Sequence, residues 1–271
     1  MADCSLINLG SCLPQKFFEF ILSILNAPLR PFLDLTLKLL SEPINLSIFF
    51  SLWVLIVYMV SMFYALLLLG TGINFIISGY DSAKRENAKN WLRNIVIMII
   101  LIQASFFIYQ LGVDLSSIMT SASLHLIDES FFLISPKGIN DLALSIIFSS
   151  LYIVTLIITS IVLIMRYAFV AIGVVLFPMG IFMYFFPPLR SYGSLIINFL
   201  GTAIFVTFFD ALLLIGFSKL TDIGIFGEMK MLVLISAFLV ISLLMLFLMF
   251  FSIVKAGFNV YTDVKRIGGK I

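Results

Sequence analysis

The chain has 271 residues, of which 62% are hydrophobic and 11% are charged, and its formal net charge is +2. Several charge-free runs exceed the ~20 residues that an α-helix needs to cross a bilayer. Segments of ~10 residues with alternating polarity, which are typical of transmembrane β-barrels, are absent. The composition therefore predicts an all-α polytopic membrane protein with about five transmembrane helices, and it excludes a barrel.

Residues 1–44 are predicted to form an external N-terminus with amphipathic helices. The apolar stretch 14–42 is interrupted by Pro28 and Pro31 and carries charged residues at intervals, so neither half is expected to span. Two short helices lying in the interface fit better, with Phe and Leu entering the acyl boundary and the charged side chains facing water.

Cys4 and Cys12 are the only cysteines in the chain, and His125 is the only histidine. These are too few ligands for a metal site of the usual kind, so we predict no metal and no cofactor. Outside the membrane a disulfide between Cys4 and Cys12 can form and persist, and it would close a small loop before the first amphipathic helix. The alternative is two unpaired thiols in a frayed terminus.

Residues 45–112 are predicted to form a transmembrane hairpin. No charged side chain occurs from residue 45 to residue 79, and a helix of that length would be roughly 50 Å long. We therefore expect the first span to tilt, or to bend at the hinge glycines Gly70 and Gly72, with Gly79 loosening its end.

The turn of this hairpin is basic. It contains Lys84, Arg85, Lys89 and Arg93 against only Asp81 and Glu86. Such an excess predicts a cytoplasmic loop, and Asp81 stands where it can cap the next helix. The charges either hold the loop inside, or they also contact the phosphates of a nucleic-acid strand. In a ring of subunits they would form a basic collar.

Residues 113–141 are predicted to be an external loop, because four acidic residues stand there against one lysine. The next region, 142–256, is predicted to be a transmembrane bundle that begins with a span of about 142–165, which Arg166 closes. Segment 167–190 is interrupted by prolines and glycines, including the hinge candidates Pro178 and Gly180. We interpret it as broken or re-entrant, which requires partner helices or a pore around it.

The number of spans depends on segment 167–190. If it crosses, there are six spans and the basic tail 257–271 lies outside. If it returns to the same face, there are five, with the N-terminus outside and the C-terminus inside. The five-span arrangement keeps more of the short-loop Lys and Arg in the cytoplasm and is therefore preferred.

Asp210 is the one carboxylate inside a predicted span. Because a carboxylate in lipid is energetically costly, we expect Asp210 to face a partner or water, either as structural glue or as pore lining. Arg166 would pair with it only in the six-span arrangement. Gln103 is an alternative hydrogen-bond partner.

Four features occur together in this chain. The first is a glycine-ended span followed by the turn SGYDSAKRENAKNWL and an apolar return span. The others are a pair of cysteines before an amphipathic helix, an R-Y-x(10)-P pattern from Arg166 to Pro178, and the predicted external N-terminus with an internal C-terminus. With them, over about residues 1–260, the chain resembles the polytopic inner-membrane subunit of type IV secretion systems. This TrbL-like superfamily includes the compact archaeal Ced-type DNA transfer channel. Some bacterial relatives carry a large external domain that this chain lacks.

The resemblance implies a non-enzymatic, oligomeric channel or scaffold subunit that helps to move DNA or protein across the cytoplasmic membrane. The partners implied are further copies of the chain, small membrane or pilin-like subunits, lipids, single-stranded DNA and a cytoplasmic ATPase. The ATPase would be separate, because no G-x-x-x-x-G-K-[ST] phosphate loop occurs here. A secondary transporter of a small solute is the alternative, since such proteins also have discontinuous helices. A membrane enzyme is disfavoured by the lack of clustered His, Asp or Glu at depth.

Overall fold

A computed structural model describes residues 9–80, 82–132 and 142–268 of the chain. Nearly all of these residues are helical, and none of the described ones is in a strand, which confirms the all-α prediction. The helices are α1 (Leu9–Ser41), α2 (Phe50–Ile77), α3 (Ser82–Leu124), α4 (Glu129–Phe132), α5 (Leu142–Phe185), α6 (Arg190–Leu220), α7 (Gly224–Glu228) and α8 (Lys230–Gly268).

Five helical segments among the described residues are long and apolar enough to cross a membrane, which confirms the predicted number. They are Leu46–Ile77, Ser82–Leu124, Ile146–Phe185, Pro187–Leu220 and Lys230–Ser252. The last helix, α8, continues beyond its apolar part to Gly268, so the stretch predicted as a tail from residue 257 is largely a continuation of this helix.

The prediction of two short N-terminal helices was wrong, because α1 is one helix of 33 residues that runs through both Pro28 and Pro31. A proline inside a helix removes one hydrogen bond and costs about 3 kcal/mol. Packing offsets that cost, because one face of α1 is buried at intervals of three and four residues. The buried residues are Leu29, Leu33, Thr36 and Leu40. The predicted amphipathic pattern is therefore present, but on one helix.

Segment 167–190 is broken, as predicted, but only near its C-terminal end at residues 186–189, and the predicted interruption at Pro178 and Gly180 was wrong. Helix α5 has 44 residues, is roughly 66 Å long at about 1.5 Å per residue, and includes Pro178 in its interior. The chain breaks instead at Phe186, whose backbone is extended, and restarts with a single 3-10 turn at Pro187–Leu189. A residue before proline is forced towards extended geometry, and a proline suits the first turn of a new helix.

The predicted external loop 113–141 is helical over its first part. Helix α3 continues to Leu124 and buries Val113, Ser116 and Thr120 at helical spacing. The loop was predicted from four acidic residues, of which only Asp114 lies on α3. Ser116 and Ser123 fit the helix because their hydroxyls donate to helix carbonyls, and Ser123 donates to that of Met119 at 2.8 Å. The short helix α4 follows, and residues 133–141 lie outside the described part.

The chain is divided into two compact units. The first comprises the described parts of Met1–Glu42, Met119–Ile164 and Phe208–Met245, and the second those of Pro43–Ile118, Met165–Thr207 and Leu246–Ile271. We refer to them as unit 1 and unit 2. The candidate sites below each lie within one of them.

The core of unit 2 contains a close helical hairpin between α2 and α3. Trp53 of α2 is buried, and its indole Nε1 donates a 2.8 Å hydrogen bond to the hydroxyl of Ser105 on α3. The ring of Phe106 stands edge-on to that of Phe50 at 5.1 Å between centroids. These contacts bring the two helices together along an apolar face, with the one polar indole group satisfied inside the core.

The end of α5 and the beginning of α6 approach each other with backbone against backbone. A Cβ atom built on Gly193 would lie 2.6 Å from the carbonyl oxygen of Gly180 and would meet the backbone nitrogen of Tyr184 at a still shorter distance. A Cβ on Gly180 would lie 2.9 Å from a methyl group of Ile196. Small residues that permit such an approach are typical of helix contacts inside membranes.

Candidate functional site

The basic residues of the hairpin turn lie on the first three turns of α3. A 3-10 turn, Ser78–Tyr80, joins α2 to α3, and Asp81, the predicted helix cap, lies outside the described residues. The side chains of Lys84, Arg85, Lys89 and Arg93 are all exposed. The first turns of α3 therefore present four cations to the surroundings.

These four cations do not share one face of the helix. Arg85, Lys89 and Arg93 follow each other at intervals of four, which places them within an arc of about 80°. We call these three residues the basic stripe. Lys84 is turned away from it and lines a cavity of about 250 Å³ together with Asn87, Ala88 and Trp91.

The basic stripe lies on the face of α3 that is turned away from the rest of unit 2. The buried residues of this part of the helix are Ala88, Ile95 and Met98. At 100° per residue, their face is centred roughly 130° from the stripe. The stripe is therefore an outward-facing surface of unit 2.

The predicted hinge glycines of the first span lie in open space. Gly70 and Gly72 are inside α2, which passes through both without interruption. A Cβ atom built on Gly70, Gly72 or Gly79 would have nothing within 4 Å. Packing does not require glycine at these positions, and the hinge role stays a prediction. Pro178 and Gly180, the other hinge candidates, are part of the continuous helix α5.

Arg166 occupies a different position from the one predicted. It does not close a span; it lies inside α5 and is only 4% exposed. Its Nε donates to the carbonyl oxygen of Ala203 at 2.8 Å, and one terminal nitrogen donates to that of Ile204 at 3.0 Å. The guanidinium carries five donors. Because the backbone of α6 supplies acceptors for it, the arginine can be buried between these helices.

Two side chains of α3 form hydrogen bonds to the same two helices, α5 and α6, in unit 2. The hydroxyl of Ser116 on α3 donates to the carbonyl of Ile204 at 2.7 Å, so that oxygen accepts from both Ser116 and Arg166. The hydroxyl of Tyr109 donates to the carbonyl of Val170 at 2.7 Å. A Cβ on Gly173 would collide with that hydroxyl. Sequence reasoning missed Tyr109 and Ser116, because their partners are backbone atoms that leave no residue pattern.

Asp210 is fully buried in unit 1, on α6, so its side chain faces the interior of the protein and not lipid. Gln103, the other intramembrane polar residue singled out from the sequence, is exposed on α3 in unit 2. A carboxylate that is removed from lipid and from bulk water marks either a structural network or a functional position inside a helix bundle.

Buried hydroxyl groups cross the interior of unit 1. Thr36 of α1 and Ser160 of α5 share a 2.9 Å hydrogen bond, and Thr159 of α5 and Ser242 of α8 share one of 2.8 Å. All four side chains are buried, and we call them the hydroxyl seam. Hydrogen bonds of this kind connect helices in membranes, where water does not compete. The consecutive Thr159 and Ser160 on an apolar helix were the available sequence signal for it.

A cavity of about 730 Å³ is also present in unit 1. Its lining includes Arg30 and Asp34 of α1 and His125 and Asp128 from the end of α3 onwards. These four side chains are exposed. The cavity therefore combines charges of both signs with the single histidine of the chain.

No three His, Cys, Asp or Glu side chains come together as potential metal ligands within the described part of the chain. Cys4 and the side chain of Cys12, the two partners of the predicted disulfide, lie outside what the structure describes. The absence of metal and cofactor stays a prediction.

No family model, curated protein or solved structure matches this chain. The resemblance to the type IV secretion subunit therefore depends on the sequence features given for it, which include the glycine-ended span, the basic turn, the pair of cysteines and the Arg166 to Pro178 pattern.

Proposed function

We propose that this multi-pass membrane protein is a non-enzymatic, oligomeric channel or scaffold subunit of a conjugation-like type IV secretion machine. It moves DNA, or protein, across the cytoplasmic membrane. The observation that carries the proposal is the basic stripe of Arg85, Lys89 and Arg93. These side chains face outward at the mouth of a transmembrane hairpin.

The stripe supports contact with nucleic acid for two reasons. Phosphate neutralisation needs a basic surface but no particular sequence, and a row of cations along one helix face follows a charged backbone. A structural role within unit 2 does not explain the stripe, because it lies opposite the packed face of α3. Several copies arranged around a pore would join their stripes into a collar.

The exposed apolar surface of α2 supports association with other copies. The span Leu46–Ile77 is the least buried of the five. Its outward side chains include Phe63, Leu66, Leu69 and Ile76. Such a surface accommodates lipids, neighbouring copies, or the small membrane and pilin-like subunits expected in this kind of machine. A separate cytoplasmic ATPase provides the energy.

The proposed orientation has the α2–α3 turn and the C-terminus in the cytoplasm and the N-terminus outside. The basic turn supports it, since short loops rich in Lys and Arg stay on the cytoplasmic side. Modification of single cysteines introduced at exposed positions of α3, such as Asn90, would test this in inverted and right-side-out vesicles. Reaction of Asn90→Cys only in right-side-out vesicles contradicts the orientation.

The test of function is salt-dependent binding of a fluorescently labelled oligothymidylate to the protein in mild detergent. Three neutralised phosphates predict a log–log salt slope of about −2, equivalent to roughly 20-fold weaker binding between 50 and 200 mM salt. The triple variant Arg85→Gln, Lys89→Gln, Arg93→Gln should lose that slope.

The matched control neutralises three exposed cations of unit 1, which are Arg30, Lys38 and Lys219, and it should retain the slope. Equal slopes for the two triple variants would remove the support from the stripe. The mass of the purified particle is measured in the same preparation, and a monomer at all protein concentrations would contradict the oligomeric subunit.

A second candidate function, a secondary transporter of a small solute, is favoured by one observation. Arg166 and Asp210 are ionisable residues buried inside helices of membrane-spanning length. In transporters such residues mark substrate or ion pathways. A monomer that binds a solute with one-to-one stoichiometry, and loses this binding on Asp210→Asn, would establish the transporter in place of the channel subunit.

A further inference from the structure

A second cavity in unit 2 combines an apolar surface with polar and cationic groups. Its volume is about 360 Å³, and it lies between α2, α3 and the connection from α5 to α6. Leu67, Ile95 and Met98 contribute apolar surface to it, and Trp91, Asn94 and Arg190 contribute polar groups. Its size is within the range of about 300–1,000 Å³ that small-molecule sites occupy.

The cationic side of this cavity is held in place by an aromatic ring. The guanidinium carbon of Arg190 lies 5.2 Å from the centroid of the Tyr184 ring, and Tyr184 itself lines the cavity. A cation over an aromatic face is attracted by the ring and keeps its N–H donors available at its edges. Arg190 is thereby oriented while it remains exposed.

Trp91 is shared between this cavity and the smaller one that Lys84 lines. Residues 84, 87, 91, 94 and 98 recur at helical spacing, so both cavities lie along one face of α3. This is the face opposite the basic stripe. None of the residues that line the two cavities is acidic, and the pair is therefore complementary to an anion.

The aromatic residues of the cavity indicate its position relative to the membrane surface. Tryptophan and tyrosine are enriched where a bilayer meets water, and Trp91 and Tyr184 are both partly exposed here. The polar groups consequently lie at headgroup level, and the leucine and methionine surface lies on the hydrocarbon side. A ligand that matches both parts has an anionic head and an apolar chain.

We propose that the 360 Å³ cavity binds an anionic phospholipid. The phosphate is held by Arg190 and by the indole N–H of Trp91, and an acyl chain lies against Leu67 and Met98. Basic pockets between transmembrane helices recognise anionic headgroups in this way, and charge-assisted hydrogen bonds to phosphate are among the stronger polar contacts.

The test compares phosphatidylglycerol with phosphatidylcholine on the full chain in mild detergent, with bound lipid counted by native mass spectrometry. We expect phosphatidylglycerol to bind at least 10-fold more tightly. Arg190→Ala should reduce its binding about 10-fold or more and leave the weak phosphatidylcholine binding unchanged. Lys219→Ala removes an exposed cation outside the cavity and should change neither.

The apolar part of the cavity is tested by a larger side chain that fills it. Leu67→Trp should lower phosphatidylglycerol binding about 10-fold, whereas Leu69→Trp, at a position that is 64% exposed, should not. Inorganic phosphate and glycerol 3-phosphate are added as competitors to separate a lipid from a free anion. Equal binding of the two lipids, no effect of Arg190→Ala, or displacement by millimolar inorganic phosphate would each overturn the proposal.

Discussion

The crossing of α5 and α6 in unit 2 makes a sharp prediction for Gly193→Ala. The added methyl group would meet backbone atoms, namely the carbonyl oxygen of Gly180 at 2.6 Å and the nitrogen of Tyr184. Backbone cannot rotate away as a side chain does, so the two helices must separate. Overpacking costs typically about 1–3 kcal/mol and occasionally more, and we expect the upper part of that range.

The same helix provides its own control. Gly201 is also in α6, and a Cβ built there has nothing within 4 Å. Glycine is less favourable than alanine inside a helix by about 0.5–1 kcal/mol. Gly201→Ala should therefore stabilise the protein slightly. The two substitutions are chemically identical and are predicted to have opposite signs.

A third variant is expected to have an intermediate effect on stability. At Gly180 the added methyl group would meet a methyl of Ile196 at 2.9 Å, which is a side-chain atom that can move. Gly180→Ala should therefore destabilise less than Gly193→Ala. Unfolding in mixed micelles, followed by circular dichroism against increasing sodium dodecyl sulfate, measures all three. If Gly193→Ala is as stable as Gly201→Ala, the close approach of α5 and α6 is refuted.

Three smaller predictions concern hydrogen bonds inside the bundle and use the same unfolding assay. Tyr109→Phe should lower the free energy of unfolding by about 0.5–1.5 kcal/mol, because it removes one buried bond, whereas Tyr58→Phe on the exposed face should change it by less than about 0.5 kcal/mol. Thr159→Val and Ser242→Ala should each cost about 0.6 kcal/mol and at most about 1.7, and their double variant should cost less than the sum; full additivity would contradict the hydroxyl seam. Trp53→Phe, which loses the indole bond to a buried serine, should cost about 1 kcal/mol or more and should abolish the corresponding indole N–H resonance that is protected from solvent exchange.

The places where sequence reasoning failed have one physical cause in common. Pro28, Pro31 and Pro178 were interpreted as helix breaks, because a proline lowers local helix stability. Local propensity did not decide the outcome at these sites. Helix α1 is supported by its buried face. At Pro178, which is itself buried in α5, the backbone has no water as an alternative partner, so the helical state persists there. Among the described residues, the chain leaves the helical state next to a proline at Pro43, after α1, and at the Pro187–Pro188 pair, after α5.

For the residues of the candidate sites as well, some properties could be predicted from the sequence and others depended on helix packing. The four cations of the turn were recognisable from their number alone, and they are exposed as expected. Their division into a stripe of three and a separate Lys84 depends on which face of α3 is packed. The position of Arg190 over Tyr184 follows from the return of α6 against α5.

The sequence alone determined the class of protein, the helical content and the number of apolar segments, because each depends on composition and on the length of uncharged runs. It also determined that the turn after α2 is basic. Tertiary structure decided where helices end and which polar residues are buried. It also decided which glycines permit a close helix contact and which cations share one face of α3. Those properties depend on contacts between different helices, such as Gly193 against Gly180 and Arg166 against the carbonyls of α6. No local pattern of residues specifies such contacts.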